Sequence, residues 1–307
     1  MPVYEDVDSA TTLLKNLALH CRKPIYVVVI EDGSLRKPFT VEALNRSGHA
    51  GIVIHLVRNM GHQRAIAVGV SYVSANLDAE AIVIMDSDGE DRPDAVESLV
   101  DALKLENVDA AVAERRRRSE SLGFRVFYSL YKVLFALATG KPIRFGNFTA
   151  LSGFAAKRLA AMQELWVHVA ASIVVSRLRV VPVPIDRGKR YAGRSQMSFV
   201  SLVLHGLRSM MVFAEDALVR ISIFCVVIAL GSIVLLAASL TLKAIGFATP
   251  GWFSIAVGIL FIILMQAGVL MFSILMVSGL IKSAPPITTS ELALLIDRIE
   301  YSNTASS

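Results

Sequence analysis

Two charge-free runs constrain the fold of this chain more than any other feature of its sequence. From Ile221 to Leu242 it goes 22 residues without a charged side chain, and from Ala244 to Ile281 another 38. A helix rises about 1.5 Å per residue, so roughly 20 apolar residues cross a bilayer core, and each run is long enough to span once. Lys243, Gly246, Pro250 and Gly251 break the pattern between them, and Trp252 suits the headgroup level. The longer run has no central proline or charge, so one tilted span is expected rather than two. The spacing predicts helices over about 219–242 and 252–281 within a membrane part at 217–282. Arg208, Arg220 and Lys282 flank the outer ends, against Lys243 alone in the connection. The positive-inside rule then places both termini in the cytoplasm.

Charge locates the rest of the chain. Residues 216–307 hold four basic and four acidic side chains, so the whole +5 excess lies in residues 1–215. That segment is long enough to bury a full core. The overall balance of 54% hydrophobic and 19% charged residues excludes a disordered chain, and Cys21 and Cys225 alone exclude a disulfide scaffold or a Cys-rich metal site. No signal-peptide pattern precedes the first domain, which fits a cytoplasmic catalytic part. The predicted organisation is a domain over 1–195, a juxtamembrane amphipathic segment over 196–216, the hairpin, and a cytoplasmic tail over 283–307.

In the first domain, residues 25–31, 52–57 and 81–85 are short β-branched runs, separated by helical patterns at 9–21, 62–76 and 93–104. Strands alternating with helices predict an α/β domain with a mostly parallel, Rossmann-like sheet, whose ligands bind at the carboxyl ends of the strands. Residues 178–185 contain two prolines and predict an edge strand. Met1-Pro2-Val3-Tyr4 leaves room for only a stub of a first strand, unless the true start lies upstream.

Asp86-Ser87-Asp88 directly follows the run 81–85. Two carboxylates one residue apart at a strand end can hold a hard divalent cation such as Mg²⁺ together with substrate phosphates. A solvated acidic turn is the plain alternative for so short a motif, and the position after a buried strand argues against it. His62, at a predicted helix start, is equally a phosphate contact or a solvated cap. Asp91 is a second carboxylate near the same turn.

Four turns occur in order: Pro2-Val3-Tyr4-Glu5-Asp6, Ile30-Glu31-Asp32-Gly33-Ser34, Asn59-Met60-Gly61-His62-Gln63-Arg64-Ala65 and Asp86-Ser87-Asp88-Gly89-Glu90-Asp91-Arg92-Pro93. Together they resemble family 2 glycosyltransferases of the GT-A fold, which carry P-x-Y-N-E, D-D-G-S, N-x-G-x-x-x-A and D-A-D…D-P-P-E. The hairpin narrows the resemblance to polyisoprenyl-phosphate glycosyltransferases, relatives of dolichol-phosphate mannose synthase, over roughly residues 1–282. It implies transfer of a sugar from a cytosolic UDP- or GDP-sugar to a polyprenyl phosphate such as undecaprenyl phosphate at a bacterial inner membrane. Inversion at the anomeric carbon is implied too, yielding a lipid-linked monosaccharide for cell-envelope glycan.

The resemblance assigns Pro2, Tyr4, Asp6, Glu31, Asp32, Asn59, Gly61, Arg64, Asp86 and Ser87 to the nucleotide-sugar, with Asp32 on the nucleobase, and Asp86 and Asp88 to Mg²⁺ or Mn²⁺. Glu5 and Glu31 stand where the family usually has Asn and Asp. Arg115 and Arg118 match its R-x-x-R, and Arg125 follows two helical turns later. Residues 124–135 mix aromatic, aliphatic and basic side chains, as an interfacial helix does. Arg190, Gly193 and Ser195 match the family's R-x-x-G-x-S-K loop; Gln196 replaces its lysine, and Arg194 can supply the charge. Guanidinium forks suit phosphate oxygens, while attraction to anionic membrane lipid is the alternative reading of these charges. No nucleic-acid module is present, so a nucleic-acid partner is not expected.

Asn147, in Phe145-Gly146-Asn147-Phe148, stands where many relatives carry the Asp of G-D-F-R. Asparagine takes no proton, but a phosphate monoester with a second pKa of about 6 is largely dianionic at neutral pH and needs no base. Asp88, Asp91 and Asn147 are therefore the expected catalytic group. A non-catalytic membrane partner of the same fold is the rival, motivated by Asn147 and Gln196. A processive synthase is disfavoured, because Gln163-Glu164-Leu165-Trp166 is not its Q-x-x-R-W motif. The sequence fixes neither the sugar nor whether the chain forms a homo-oligomer.

Overall fold

The computed structural model describes residues 1–114, 136, 140, 145–192, 199–247, 251–283 and 289–303, in two compact units. The first unit comprises Met1–Phe124, Ile143–Val212 and Pro286–Ser307; the second comprises Arg125–Pro142 and Phe213–Pro285.

The first unit opens with strand β1 (Pro2–Val3), helix α1 (Val7–His20), β2 (Tyr26–Glu31), α2 (Val41–Arg46), β3 (Ala50–Leu56), α3 (His62–Asn76) and β4 (Ala81–Ile84). A 3₁₀ turn at Pro93–Ala95 leads into α4 (Val96–Ala102), then β5 (Ala110–Glu114). Beyond lie β6 (Phe145–Ser152), α5 (Gly153–Ala160), α6 (Val169–Val175), β7 (Val180–Pro184) and α7 (Phe199–Val212), and finally α10 (Thr289–Leu295) and β8 (Ile296–Tyr301).

Among the described residues two four-stranded sheets result, ordered β1-β2-β3-β8 and β4-β6-β5-β7. The expected α/β layering is present, but strand directions are mixed rather than mostly parallel. β1, β2 and β3 run parallel and so do β5 and β7, while β8 on β3 and β6 on both β4 and β5 are antiparallel. The polar start of β6 at Gly146 and Asn147 hid that strand from a search for apolar runs. β7 is the edge strand that its prolines required, pairing with β5 alone.

Alternation along the strands decides which helix covers which face. Val27, Val29 and Val53 join α1's Leu13, Leu14 and Leu17 in one cluster; Ile30, Ile52 and Ile54 join Ala65 and Val68 of α3 in another. The next positions of α3, Ile66, Ala67 and Val70, pack with Ile84, Ala110 and Leu151 of the second sheet. α3 thus ties the two sheets together, and the turn before it is fixed to both.

The tail expected after the hairpin is not a loose extension over its described part. β8 adds to β3, Ser302 donates its N–H to the Gly51 carbonyl at 2.9 Å, and Leu292 is buried with Ile30 and Ile54. Its signal was weak because Asp297, Arg298 and Glu300 interrupt the apolar pattern.

The second unit holds α8 (Ala214–Ala244) and α9 (Trp252–Ser283), both long and apolar enough to cross a membrane. Only 11% and 0% of their most apolar windows are buried, which is the reverse of a soluble protein's core helix. Their contact seam uses small side chains: Ala217, Cys225, Ser232 and Ser239 on α8 are buried at spacings of seven or eight, with Ala267 and Ile274 on α9. Lys243 lies over the Phe253 ring, 4.1 Å from its centroid.

In the first unit the second sheet is tied at one end by Asp109, whose carboxylate accepts from Arg179 Nε at 2.9 Å, Nη2 at 2.8 Å and the backbone N–H at 2.9 Å. These hydrogen bonds pull the Asp109 pKa down to about 2. A folded-state pKa below the ordinary value of about 3.9 contributes stability above that value, lost as pH falls toward about 2. Arg179→Met is therefore expected to destabilise the detergent-purified chain by about 1–2 kcal/mol at neutral pH. In thermal unfolding the gap between the two proteins should narrow at pH 3; an equal gap at both pH values would contradict the assignment.

Candidate functional site

The predicted turns meet at the carboxyl ends of β2, β3 and β4, and their carboxylates divide into two groups. The first group holds backbone. Glu31 is 2% exposed, and its oxygens accept the N–H groups of Ser34 at 2.9 Å and Phe39 at 2.6 Å. Asp32, equally buried, accepts from Met60 N–H at 2.7 Å and Gly61 N–H at 2.9 Å. Burial nonetheless keeps the Asp32 pKa above its usual value, with the two N–H donors opposing it. Glu5 receives the N–H groups of Leu35, Arg36 and Lys37, and these, Arg36 first, hold its pKa down. Gly33 adopts φ +69°, and a Cβ there would stand 2.5 Å from the Arg58 carbonyl carbon, so the turns after β2 and β3 touch only because the residue is glycine. Glu31 and Asp32, expected as ligand contacts, also anchor those turns, and each carboxylate oxygen keeps a second lone pair for a ligand. Both are buried, and residue type alone does not reveal that anchoring role.

Of the other expected nucleotide contacts, Asp6 caps α1 by accepting from Ser9 N–H at 3.3 Å, Pro2 is buried in β1, and Tyr4, Asn59 and Arg64 are exposed. Gly61, at φ +88°, precedes α3 as its cap.

The second group faces charged side chains. Asp86, Ser87 and Asp88 follow β4, and the turn is closed by Asp91, which accepts from Asp86 N–H at 2.8 Å, and by Glu90 N–H donating to Asp88 at 2.9 Å. Arg190 Nη2 lies 2.8 Å from Asp88 Oδ2 and 3.4 Å from Glu90 Oε1, and Arg187 also pairs with Glu90. Backbone bonds from Gly188 N–H to the Glu90 carbonyl and from Tyr191 N–H to the Asp88 carbonyl, at 2.8 and 2.9 Å, lay the 187–191 segment along the acidic turn. Gly89, at φ +87°, lets the Tyr191 ring sit where a Cβ would clash at 2.6 Å, and Asn16 donates to the Tyr191 hydroxyl at 2.9 Å.

Burial and Asp86 push the Asp88 pKa up, against Arg190, Arg187 and His62. His62 Nε2 is 3.1 Å from Asp86 Oδ1. Burial opposes charge on that ring, but Asp86, Asp91 and Asp88 carry its pKa above the ordinary histidine value. Asn147, at the start of β6, lies 3.0 Å from the same ring nitrogen through its Nδ2. Sequence reasoning missed Gln63, whose Nε2 donates to Asn147 Oδ1 at 3.2 Å, because a buried glutamine on a helix carries no motif.

Chemically, Asp86 and Asp88 are the pair able to hold a hard cation. Among the described residues no cluster of three or more His, Cys, Asp or Glu side chains is arranged for a metal, so two carboxylates plus substrate oxygens are what the site offers. The Arg190 guanidinium stands on Asp88 in this structure, so a cation held there would have to displace it. Arg115, Arg118, Arg125, Gly193, Arg194, Ser195 and Gln196 lie outside the described residues, as does the expected interfacial helix over 124–135.

The model of the glycosyl transferase family 2 matches residues 1–166. The undecaprenyl-phosphate 4-deoxy-4-formamido-L-arabinose transferases of Edwardsiella ictaluri and Klebsiella pneumoniae are 25% and 26% identical over 214 residues, covering 66% of this chain and 63% of theirs. The match therefore spans somewhat less than two thirds of those relatives' length. Glucosyl-3-phosphoglycerate synthase from Mycobacterium tuberculosis, solved with Mn²⁺ and UDP-glucose, superposes with a TM-score of 0.50 at 17% identity, over 70% of this chain and 77% of that one. At that identity the likeness shows the fold.

If Glu31 anchors the turn after β2, Glu31→Ala should speed hydrogen exchange at the Ser34 and Phe39 amides by at least about tenfold, since bonds to a charged acceptor are lost. Unchanged exchange at both amides would refute that role.

Proposed function

Since the chain belongs to glycosyl transferase family 2, we propose that it transfers a single sugar from a nucleotide-diphosphate sugar to a polyprenyl phosphate such as undecaprenyl phosphate at a membrane surface. The carrying observation is the acidic turn at the end of β4, with a guanidinium on Asp88 and the turns after β2 and β3 beside it. The acceptor class is supported by the two arabinose transferases, which are named for undecaprenyl phosphate.

Asp86 and Asp88 would hold the divalent cation, and Asp91 fixes the turn through the Asp86 N–H. Mg²⁺ or Mn²⁺ bound there supplies positive charge where the leaving diphosphate gathers negative charge. Arg190, already within reach of that turn, is placed to turn its guanidinium from Asp88 to a phosphate oxygen. Arg115, Arg118, Arg125, Arg194 and Ser195 are further phosphate contacts on the motif match alone. In the transfer step an oxygen of the lipid phosphate bonds to the anomeric carbon as the bond to the diphosphate oxygen breaks, its electron pair leaving with the nucleotide. The acceptor is already anionic, so Asn147 has no proton to take.

α8 and α9 form the membrane hairpin in this reading. The chain leaves the first unit before α8 and rejoins it after α9, which supports an even number of crossings. The flanking Arg208, Arg220 and Lys282 put that unit and both termini on the cytoplasmic side.

Membranes bearing the wild-type chain should form labelled lipid-phosphate sugar when screened with UDP-glucose, UDP-N-acetylglucosamine, UDP-galactose and GDP-mannose against undecaprenyl phosphate. Asp88→Ala should abolish the product. Normal turnover in that variant would sink the metal assignment, and donor binding without any turnover in the wild type would select a non-catalytic partner instead.

A further inference from the structure

A chain of hydrogen bonds runs from the backbone of α6 to the Asn147 carboxamide, whose NH₂ faces His62 beside the acidic turn. Val169 N–H donates to Gln63 Oε1 at 2.8 Å, Gln63 Nε2 donates to Asn147 Oδ1 at 3.2 Å, and Asn147 Nδ2 lies 3.0 Å from His62 Nε2, itself 3.1 Å from Asp86 Oδ1. Its polarity is fixed at one end. A backbone N–H is only ever a donor, so the Gln63 atom facing Val169 is the oxygen, and the atom facing Asn147 is the NH₂. That NH₂ in turn requires the carbonyl oxygen of Asn147. Gln63 is 6% exposed, so no water stands ready to satisfy a reversed amide.

We propose that Gln63 is a positioning residue that sets the orientation of the Asn147 carboxamide, so that Asn147 presents its NH₂ to the site and donates a hydrogen bond to the phosphate of the acceptor. The inference rests on the transferase reading above and assigns Asn147 a specific part in it. The His62 Nε2 atom serves one neighbour at a time: bare, it accepts one N–H of Asn147 and leaves the second for an incoming oxygen; bearing a proton, it donates to Asp86, and the Asn147 NH₂ moves off it with both N–H groups open. In either state the NH₂ stays on the side of the acidic turn, because Gln63 holds the oxygen. An aspartate at 147, which many relatives carry, would offer no N–H there, so the acceptor phosphate would need another donor in its place. Asparagine at this position is then a donor suited to an anionic acceptor, with the sense of its amide enforced from the fold.

Gln63→Glu reverses the polarity with little change of shape. Val169 N–H keeps an acceptor, but the second carboxylate oxygen now accepts, so Asn147 turns its NH₂ inward and its carbonyl toward the site. Titration of undecaprenyl phosphate, and separately of inorganic phosphate, into the detergent-purified full chain measures the effect. Loss of a hydrogen bond to a charged oxygen should weaken undecaprenyl phosphate binding by about tenfold or more, while binding of UDP and GDP stays within about twofold. Asn147→Asp, on a partly exposed residue at a strand start, tests the same contact without a buried charge and should show the same acceptor-selective loss. Weakening of inorganic phosphate in parallel ascribes the contact to the phosphate group; no effect on it restricts the contact to the lipid-borne phosphate. Wild-type acceptor affinity in either variant overturns the proposal, as does an equal loss of nucleotide binding, which marks a structural role. If the wild type binds the lipid phosphate with these selective losses yet transfers no sugar, the transferase reading fails and the orientation of Asn147 stands. If it binds neither phosphate probe, both fail.

Discussion

Carboxylates at the ends of buried strands must find donors or cations, because a charge withdrawn from water without partners is costly. This chain places Glu31, Asp32, Asp86, Asp88 and Asp91 at the ends of β2 and β4. Glu31, Asp32 and Asp91 bind backbone N–H groups and so hold the turns that carry them. Asp86 and Asp88 face His62 and Arg190 instead. The anchored carboxylates build the rim, and in the reading proposed above the pair facing His62 and Arg190 would exchange those partners for a metal and a diphosphate.

α3 is what brings this rim to the second sheet. Successive positions of one helix enter two different hydrophobic clusters, so its first turn is fixed against both β2 and β4. His62 and Gln63 inherit that placement, and through them Asn147 on β6 joins the acidic turn. The segment 187–191 adds cover from the far side, held by two backbone bonds, the Tyr191 ring over Gly89 and the Arg190 pair. Arg190 pairs with the very carboxylate proposed to bind the cation, so a metal held there would have to release that guanidinium.

Much of this was legible in the chain itself. The helix over 62–76, the strands near 25–31, 52–57 and 81–85, the edge strand with its prolines and the two apolar helices follow from periodicity and charge. What stayed hidden depends on tertiary partners. β8 carries Asp297, Arg298 and Glu300 and reads as a tail until β3 offers it an edge. Glu31 and Asp32 look like ligand contacts by type, and only the N–H groups of Ser34, Phe39, Met60 and Gly61 show that they anchor turns as well. Gln63 has no motif, and its meaning comes from Val169, over a hundred positions away in the chain.

The central claim is that Asp86 and Asp88 form a cation-dependent diphosphate site on a chain whose hairpin holds it at a lipid surface. Calorimetric binding of UDP and GDP to the purified protein, with Mg²⁺ or Mn²⁺ and again in EDTA, tests it most directly. At least one of the two nucleotides should bind only with the divalent cation present, and Asp86→Asn should weaken that binding by about tenfold or more. Equal affinity in EDTA, or in Asp86→Asn, would contradict the claim.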